Sequence, residues 1–151
     1  MKIVHPIMLK ALEKALKECS EQLKTAEVRI THGLRTNKEQ DDLYAIGRTV
    51  KGKTVTNAKG GQSVHNYGLA VDICLIIKNV VYYDLKIDSD YDGTADWMEA
   101  VKIFKNNGFT WGGDWLKFKD NPHFEYANHL YKNGWRYLIK LKKDSNGFVI
   151  F

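Results

Sequence analysis

Apolar residues recur at helical spacing over residues 6 to about 26, where Met8, Leu12, Ala15, Cys19 and Leu23 are separated by lysines and glutamates. This pattern predicts an amphipathic helix with Pro6 in its first turn. Residues 28–31 predict a short strand. A second helix is expected after Thr36, because Thr36-Asn37-Lys38-Glu39 has capping-box spacing; it carries Leu43, Tyr44 and Ile46 and stops near Gly47. Residues 49–62 show no periodicity, and Gly60-Gly61 marks a loop. Residues 69–77 form the apolar, β-branched run of a buried strand, and Lys78-Asn79 is placed to turn it into a hairpin with residues 80–83. After an acidic loop at 88–94, Trp97, Val101 and Phe104 mark a third helix, ended by Gly108. Residues 124–126 predict another strand, and 135–151 a hairpin around Ser145-Asn146-Gly147. The fold class is therefore α+β, one domain with helices packed beside a small, mainly antiparallel sheet.

Composition narrows the partners. A chain of 151 residues fits one domain, and no apolar run approaches the roughly 20 residues of a membrane span, so no membrane insertion is expected. The start of the chain lacks the apolar core of a signal peptide, which predicts synthesis as a cytosolic protein. Cys19 and Cys74 have no metal-binding or redox spacing and are expected to be buried free thiols. The net charge of +5 favours an anionic partner, either nucleic acid or a bacterial envelope. The lysines form no stripe, so nucleic acid is not the expected partner.

The chemistry lies in two segments. In Ser63-Val64-His65-Asn66-Tyr67-Gly68-Leu69-Ala70-Val71-Asp72 a histidine leaves a loop, and an aspartate follows on a strand among Val71, Ile73 and Leu75. A buried carboxylate needs a partner, and a metal is one. A core histidine with a loop-capping aspartate fits this segment equally well. The second segment, Asp120-Asn121-Pro122-His123-Phe124-Glu125, adds a histidine with carboxylates on both sides. Two histidines and a carboxylate without thiolates leave one position of a tetrahedral zinc open, as a catalytic site requires.

Ser-x-His-x-x-Gly-x-Ala-x-Asp followed by Asp-x-Pro-His resembles the M15-type metallopeptidases of bacterial cell walls. Gly33-x-Arg35-Thr36, Glu39-Gln40, Gly47-Arg48-Thr49, Val55-Thr56-Asn57-Ala58 and Trp111-Gly112-Gly113-Asp114-Trp115 are similar to its L-alanyl-D-glutamate peptidase branch, found in phage endolysins. The resemblance runs from about residue 28 to 126; a zinc peptidase domain is expected over residues 1–126, with 127–151 as an extension packed on it. It implies His65, Asp72 and His123 as zinc ligands and Asp120 as general base. It places Arg35, Gln40 and Ser63 along the substrate, with Arg35 also stabilising the reacting carbonyl. Glu125 is the rival base, two residues from His123 on a strand, and Asp114 a weaker one; the resemblance favours Asp120. His32 and Leu34 depart from the family at positions beside Arg35. Trp111 and Trp115 are read as core, Arg48 as a structural cation, and His5, His32 and His129 as spare histidines.

The implied activity is hydrolysis of the L-Ala–D-Glu bond in peptidoglycan stem peptides by a monomeric enzyme, held in the host cytoplasm until lysis. The alternatives are a D-Ala-D-Ala carboxypeptidase or dipeptidase of the same family and a non-catalytic, zinc-stabilised wall-binding module. A second cation is expected nearby. Asp88-Ser89-Asp90-Tyr91-Asp92-Gly93, with Glu99 beyond, fits the calcium-loop pattern, with Asp88, Asp90, Asp92, the Thr94 carbonyl and Glu99 as ligands and Asp96 acting through water.

Overall fold

The computed structural model describes residues 4–126 and 134–151; His129 lies outside them. The first helix, α1, spans Pro6–Gln22, and its N-cap is His5, whose Nδ1 accepts from the Ile7 amide at 3.1 Å. It ends earlier than the apolar spacing suggests because Leu23 is already extended, and strand β1 starts at Ala26 and runs to His32. Helix α2, Asn37–Ala45, opens on the expected capping box: Thr36 Oγ1 accepts from the Glu39 amide (3.2 Å) and Glu39 Oε2 from the Thr36 amide (2.7 Å). Strand β2, Ala70–Ile77, turns through Lys78 and Asn79 into β3, Val80–Tyr82. Both turn residues have positive φ (50° and 64°), the two-residue geometry that matches strand twist. Then follow α3 (Asp96–Asn106), β4 (Thr110–Trp111), β5 (His123–Glu125) and α4 (Trp135–Leu138).

The sheet runs β1-β2-β5-β4, with β3 also paired to β2, and each of these pairings is antiparallel. Strand β2 is central, and its side chains alternate between two environments. Val71, Ile73, Leu75 and Ile77 join Met8, Leu12 and Ala15 of α1 and Trp97, Val101 and Phe104 of α3 in one core. Each such side chain, fully buried, contributes roughly 1.5–3 kcal/mol. Asp72 lies on the opposite face of β2, so the core that stabilises the strand also fixes where that carboxylate stands.

Two elements differ from the sequence expectation. Strand β4 has two residues, too few for a periodic signal. The tail expected as a hairpin begins as helix α4 and pairs only at Lys143 and Val149, around a turn whose Asp144 Oδ1 accepts from the Asn146 and Phe148 amides. Burial of Leu138, Phe148 and Val149, and the 2.8 Å bond from His5 Nε2 to the Val149 carbonyl, tie this tail down through packing instead of a ladder. No helix among the described residues is long and apolar enough to cross a membrane.

Candidate active site

Strand register builds half of the site. The Cα partners of Asp72 are His32 on β1 and His123 on β5, and residues directly opposed across a ladder share a face. His65 arrives from a loop: residues Val64–Tyr67 form a 3-10 turn capped by Ser63, whose Oγ accepts from the His65 amide at 3.3 Å. The turn closes on Gly68 at φ 68°, in the left-handed region that glycine tolerates.

Three atoms converge. His65 Nε2 lies 3.1 Å from Asp72 Oδ1 and 3.0 Å from His123 Nδ1, which is itself 3.2 Å from the same Oδ1. Both rings are buried. His65 Nδ1 stands 2.9 Å from the Gly33 carbonyl, which can only accept, so Nδ1 carries the proton and Nε2 turns a lone pair inward. Zinc bonds of about 2.0–2.1 Å give a tetrahedral edge of about 3.3–3.4 Å. Two nitrogens and one oxygen at 3.0–3.2 Å therefore fit one face of a zinc tetrahedron, with the cleft on the fourth side.

The electrostatics agree. Burial by itself would raise the Asp72 carboxyl, but hydrogen bonds with His123 and His65 outweigh it and hold the group far below the usual range. Burial favours a neutral His123, yet its bonds to Asp72 and Glu125 prevail and raise it to about 9. In the metal-free protein a proton on His123 thus takes the place of the cation, and metal binding displaces it.

Asp120 borders the same cleft, of about 870 Å³. The turn 120–123 is closed by His123 N donating to Asp120 O (3.2 Å), and Asp120 N donates to Gly112 O (3.1 Å). The approach requires glycine: a Cβ at Gly112 would stand 2.4 Å from the Asp120 carbonyl oxygen. The Asp120 carboxylate makes no hydrogen bond with the described residues, and burial raises its pKa against the lowering influence of His123. That describes an available base facing the triad. Glu125 also borders the cleft, but its Oε1 is held 3.1 Å from His123 Nε2, and Asp114 is exposed and paired with Lys105 at 2.6 Å.

Arg35 reaches Asp72 Oδ2 with Nη2 (3.4 Å) and Gln40 Oε1 with Nη1 (2.9 Å). Gln40, expected along the substrate, is wholly buried, and its Nε2 donates to the Ala58 carbonyl (2.8 Å). It joins Arg35 to the cleft wall and leaves no atom for substrate. Ser63 does border the cleft, although its hydroxyl caps the His65 turn. Arg48 has the structural role expected of it, stacked 3.8 Å from the Tyr44 ring centroid and bonded to Tyr44 O, Thr56 O and Asn57 Oδ1.

Two residues read as core or spare belong to the site. Trp111 is core, donating to the Asn121 carbonyl at 2.7 Å, but Trp115 borders the cleft with its ring centroid 5.1 Å from that of His123. His32 Nδ1 is 3.6 Å from Asp72 Oδ2. A period-2 reading continued through His32 would have set it on the core face with Val28 and Ile30; the bulge between Ile30 and His32 brings it opposite Asp72 instead.

In the acidic loop, Asp88, Asp90 and Asp92 bring carboxylate oxygens within 4.8 Å of one another. Backbone amides already meet them: Asp92 N donates to Asp88 and Asp90, Gly93 N to Asp88, and Thr94 N to Asp92. Lys24 Nζ lies 3.4 Å from Asp90. Glu99 is outside this trio; its Oε2 is buried without a partner among the described residues, and burial, Asp92 and Asp90 raise its pKa. Asp96, expected to act through water, accepts from the Ser89 amide at 3.0 Å.

Comparison with known proteins gives the same direction. A family model described as D-alanyl-D-alanine carboxypeptidase matches residues 56–126. The chain is 50% identical over 123 residues to the peptidoglycan L-alanyl-D-glutamate endopeptidase CwlK of Bacillus subtilis, covering 81% of this chain and 72% of that protein. Its fold is similar to the L-Ala D-Glu endopeptidase ChiX of Serratia marcescens (TM-score 0.56, 22% identity, 82% of this chain and 80% of that one). It is also similar to the vancomycin-resistance D,D-pentapeptidase VanY, solved with Zn(II) (TM-score 0.53, 15% identity, 84% and 74%).

Proposed function

Because the chain belongs to the M15 peptidase family, we propose that it is a zinc endopeptidase hydrolysing the L-Ala–D-Glu bond of peptidoglycan stem peptides. The observation that carries this reading is the convergence of His65, Asp72 and His123 at 3.0–3.2 Å beside a half-buried Asp120 whose carboxylate is unpaired among the described residues. The half-identical relative, named for that bond, supports the substrate. Zinc held by the triad supplies Lewis acidity for activating water and polarising a peptide carbonyl. Asp120 accepts the proton of the attacking water and passes it to the leaving amine. Arg35, its fork fixed by Gln40 and Asp72, offers cationic donors to the carbonyl oxygen as charge develops there or to a substrate carboxylate. Trp115 and the 55–58 loop border the cleft.

Mass spectrometry of peptidoglycan digested by the zinc-loaded protein tests the reading. New N-terminal D-Glu is expected. Loss of D-Ala would assign a carboxypeptidase, and intact stem peptides a binding module.

Two finer points belong to the same proposal. The motif resemblance to the endolysin branch supports a role in host lysis, with the enzyme in the host cytoplasm until it reaches the wall; clearing of host cells by internal expression with and without a membrane-permeabilising partner tests it. Calcium at Asp88, Asp90 and Asp92 is supported by their mutual approach and the unpartnered oxygen of Glu99. Calorimetric titration of zinc-loaded protein with calcium checks this, and absence of heat at millimolar calcium removes the site.

A further inference from the structure

The two histidines of the triad are supported differently. His65 rests on a neutral backbone carbonyl, Gly33 O at 2.9 Å, while His123 rests on an ionisable side chain, Glu125 Oε1 at 3.1 Å from Nε2. Both residues of the second pair lie on β5, two positions apart, so the pleat puts them on one face. Register fixes the pair further: Glu125 is opposed to Ala70 on β2 and Thr110 on β4, and His123 to Asp72. The Glu125 side chain is mostly buried, at 21% exposure. An ionised carboxylate only accepts hydrogen bonds, so the contact requires a proton on His123 Nε2. Nδ1, the atom 3.0 Å from His65 Nε2 and 3.2 Å from Asp72 Oδ1, is thereby left to present its lone pair when a metal replaces the proton there.

We infer that Glu125 is the positioning residue of the metal site: it fixes the tautomer and ring rotation of His123 and adds a second negative charge behind the ligands. The charge matters because Asp72 alone offsets only half of a divalent cation. Arg35 beside Asp72 adds further positive charge, so the Glu125 carboxylate strengthens metal binding in this buried setting. This role also explains why a carboxylate so close to His123 is not the base. Both carboxylates border the cleft, but Glu125 Oε1 is engaged with His123 Nε2, while the Asp120 carboxylate is free of hydrogen bonds with the described residues.

The inference rests on the zinc reading above, and its test separates the two. Zinc affinity is measured on the full chain by competition with a chromophoric chelator, for the parent, Glu125→Gln and Glu125→Ala. The alanine variant is expected to bind zinc about 10–100-fold more weakly, the usual cost of losing an outer partner of a metal-bound histidine. The glutamine variant falls between, because its amide oxygen still accepts from Nε2 without the charge. Nitrogen NMR of the zinc-loaded parent is expected to show His123 protonated at Nε2. The acid limb of kcat/KM remains in the fully loaded glutamine variant. Parent-like zinc affinity in the alanine variant overturns the inference, as does a glutamine variant that binds zinc normally but loses its acid limb, which would make Glu125 the base. A parent that binds no zinc would instead overturn the proposed function.

Discussion

The triad and the acidic loop both gather carboxylates, yet they treat them in opposite ways. At the triad, a carboxylate and two ring nitrogens meet on buried ground, drawn from β2, β5 and a capped 3-10 turn, and among the described residues their inward atoms have only one another. In the loop, three aspartates within five consecutive residues are answered by their own backbone amides and by Lys24. The first arrangement demands a cation or a proton; the second already has amide and lysine partners, so a cation there adds less. Proximity of ligands is therefore a poor measure of a metal site. What counts is whether the ligands have other partners and whether rigid elements hold them.

The largest effect should come from removing a triad member. His123→Ala is expected to abolish both zinc binding and peptidoglycan cleavage, checked by metal analysis and a turbidity assay; stoichiometric zinc with full activity would break the contrast at once. Next in size, Asp120→Asn should lower kcat by roughly 10²–10⁴-fold while zinc stays bound. Because burial raises the Asp120 carboxyl and the base works only when ionised, kcat/KM of the parent should fall with decreasing pH about a midpoint above the ordinary carboxylate range. That acid limb should disappear in the variant, and a limb at the usual carboxylate value would remove the environmental shift.

A smaller effect separates metal from proton. His123 is raised from its unfolded value to about 9 in the metal-free protein, so its contribution to stability is complete below about 6.5 and is lost as pH rises through about 9. Melting temperature of the chelator-treated protein should decline over that window relative to zinc-loaded protein. Parallel curves would show that no proton takes the cation's place. The smallest expected effect is calcium on the loop. Millimolar calcium should raise the melting temperature less than stoichiometric zinc does, and Asp90→Ala should cancel the increment. A calcium increment equal to that of zinc would erase the distinction between the regions.

Much of this was legible in the sequence, for identifiable reasons. The α1 and α3 faces, the capping box at Thr36 and the Lys78-Asn79 hairpin are local patterns, and local geometry expresses them directly. His65, Asp72 and His123 stood out because their flanking residues form ordered motifs, and the structure brings all three together. The roles around them depend on tertiary packing. Nothing in Glu39-Gln40 shows that Gln40 is sealed behind Arg35, and nothing in Trp111 or Trp115 shows which of them faces the cleft. Glu125 stood as the rival base because sequence distance to His123 does not say which ring nitrogen it meets. The calcium-loop spacing is likewise a local pattern, blind to the amides and the lysine that answer it.

Strand β5 has three residues, and its alignment is set by three pairs to β2, two to β4 and the burial of Phe124 in the core. A slip of one residue would turn His123 towards the opposite face of the sheet and replace it opposite Asp72 with a neighbour that cannot coordinate. Zinc can therefore bind only the correctly aligned chain. By mass action the ion enriches that alignment over its misregistered competitors. Metal binding at the triad is thereby linked to correct strand pairing as well as to chemistry.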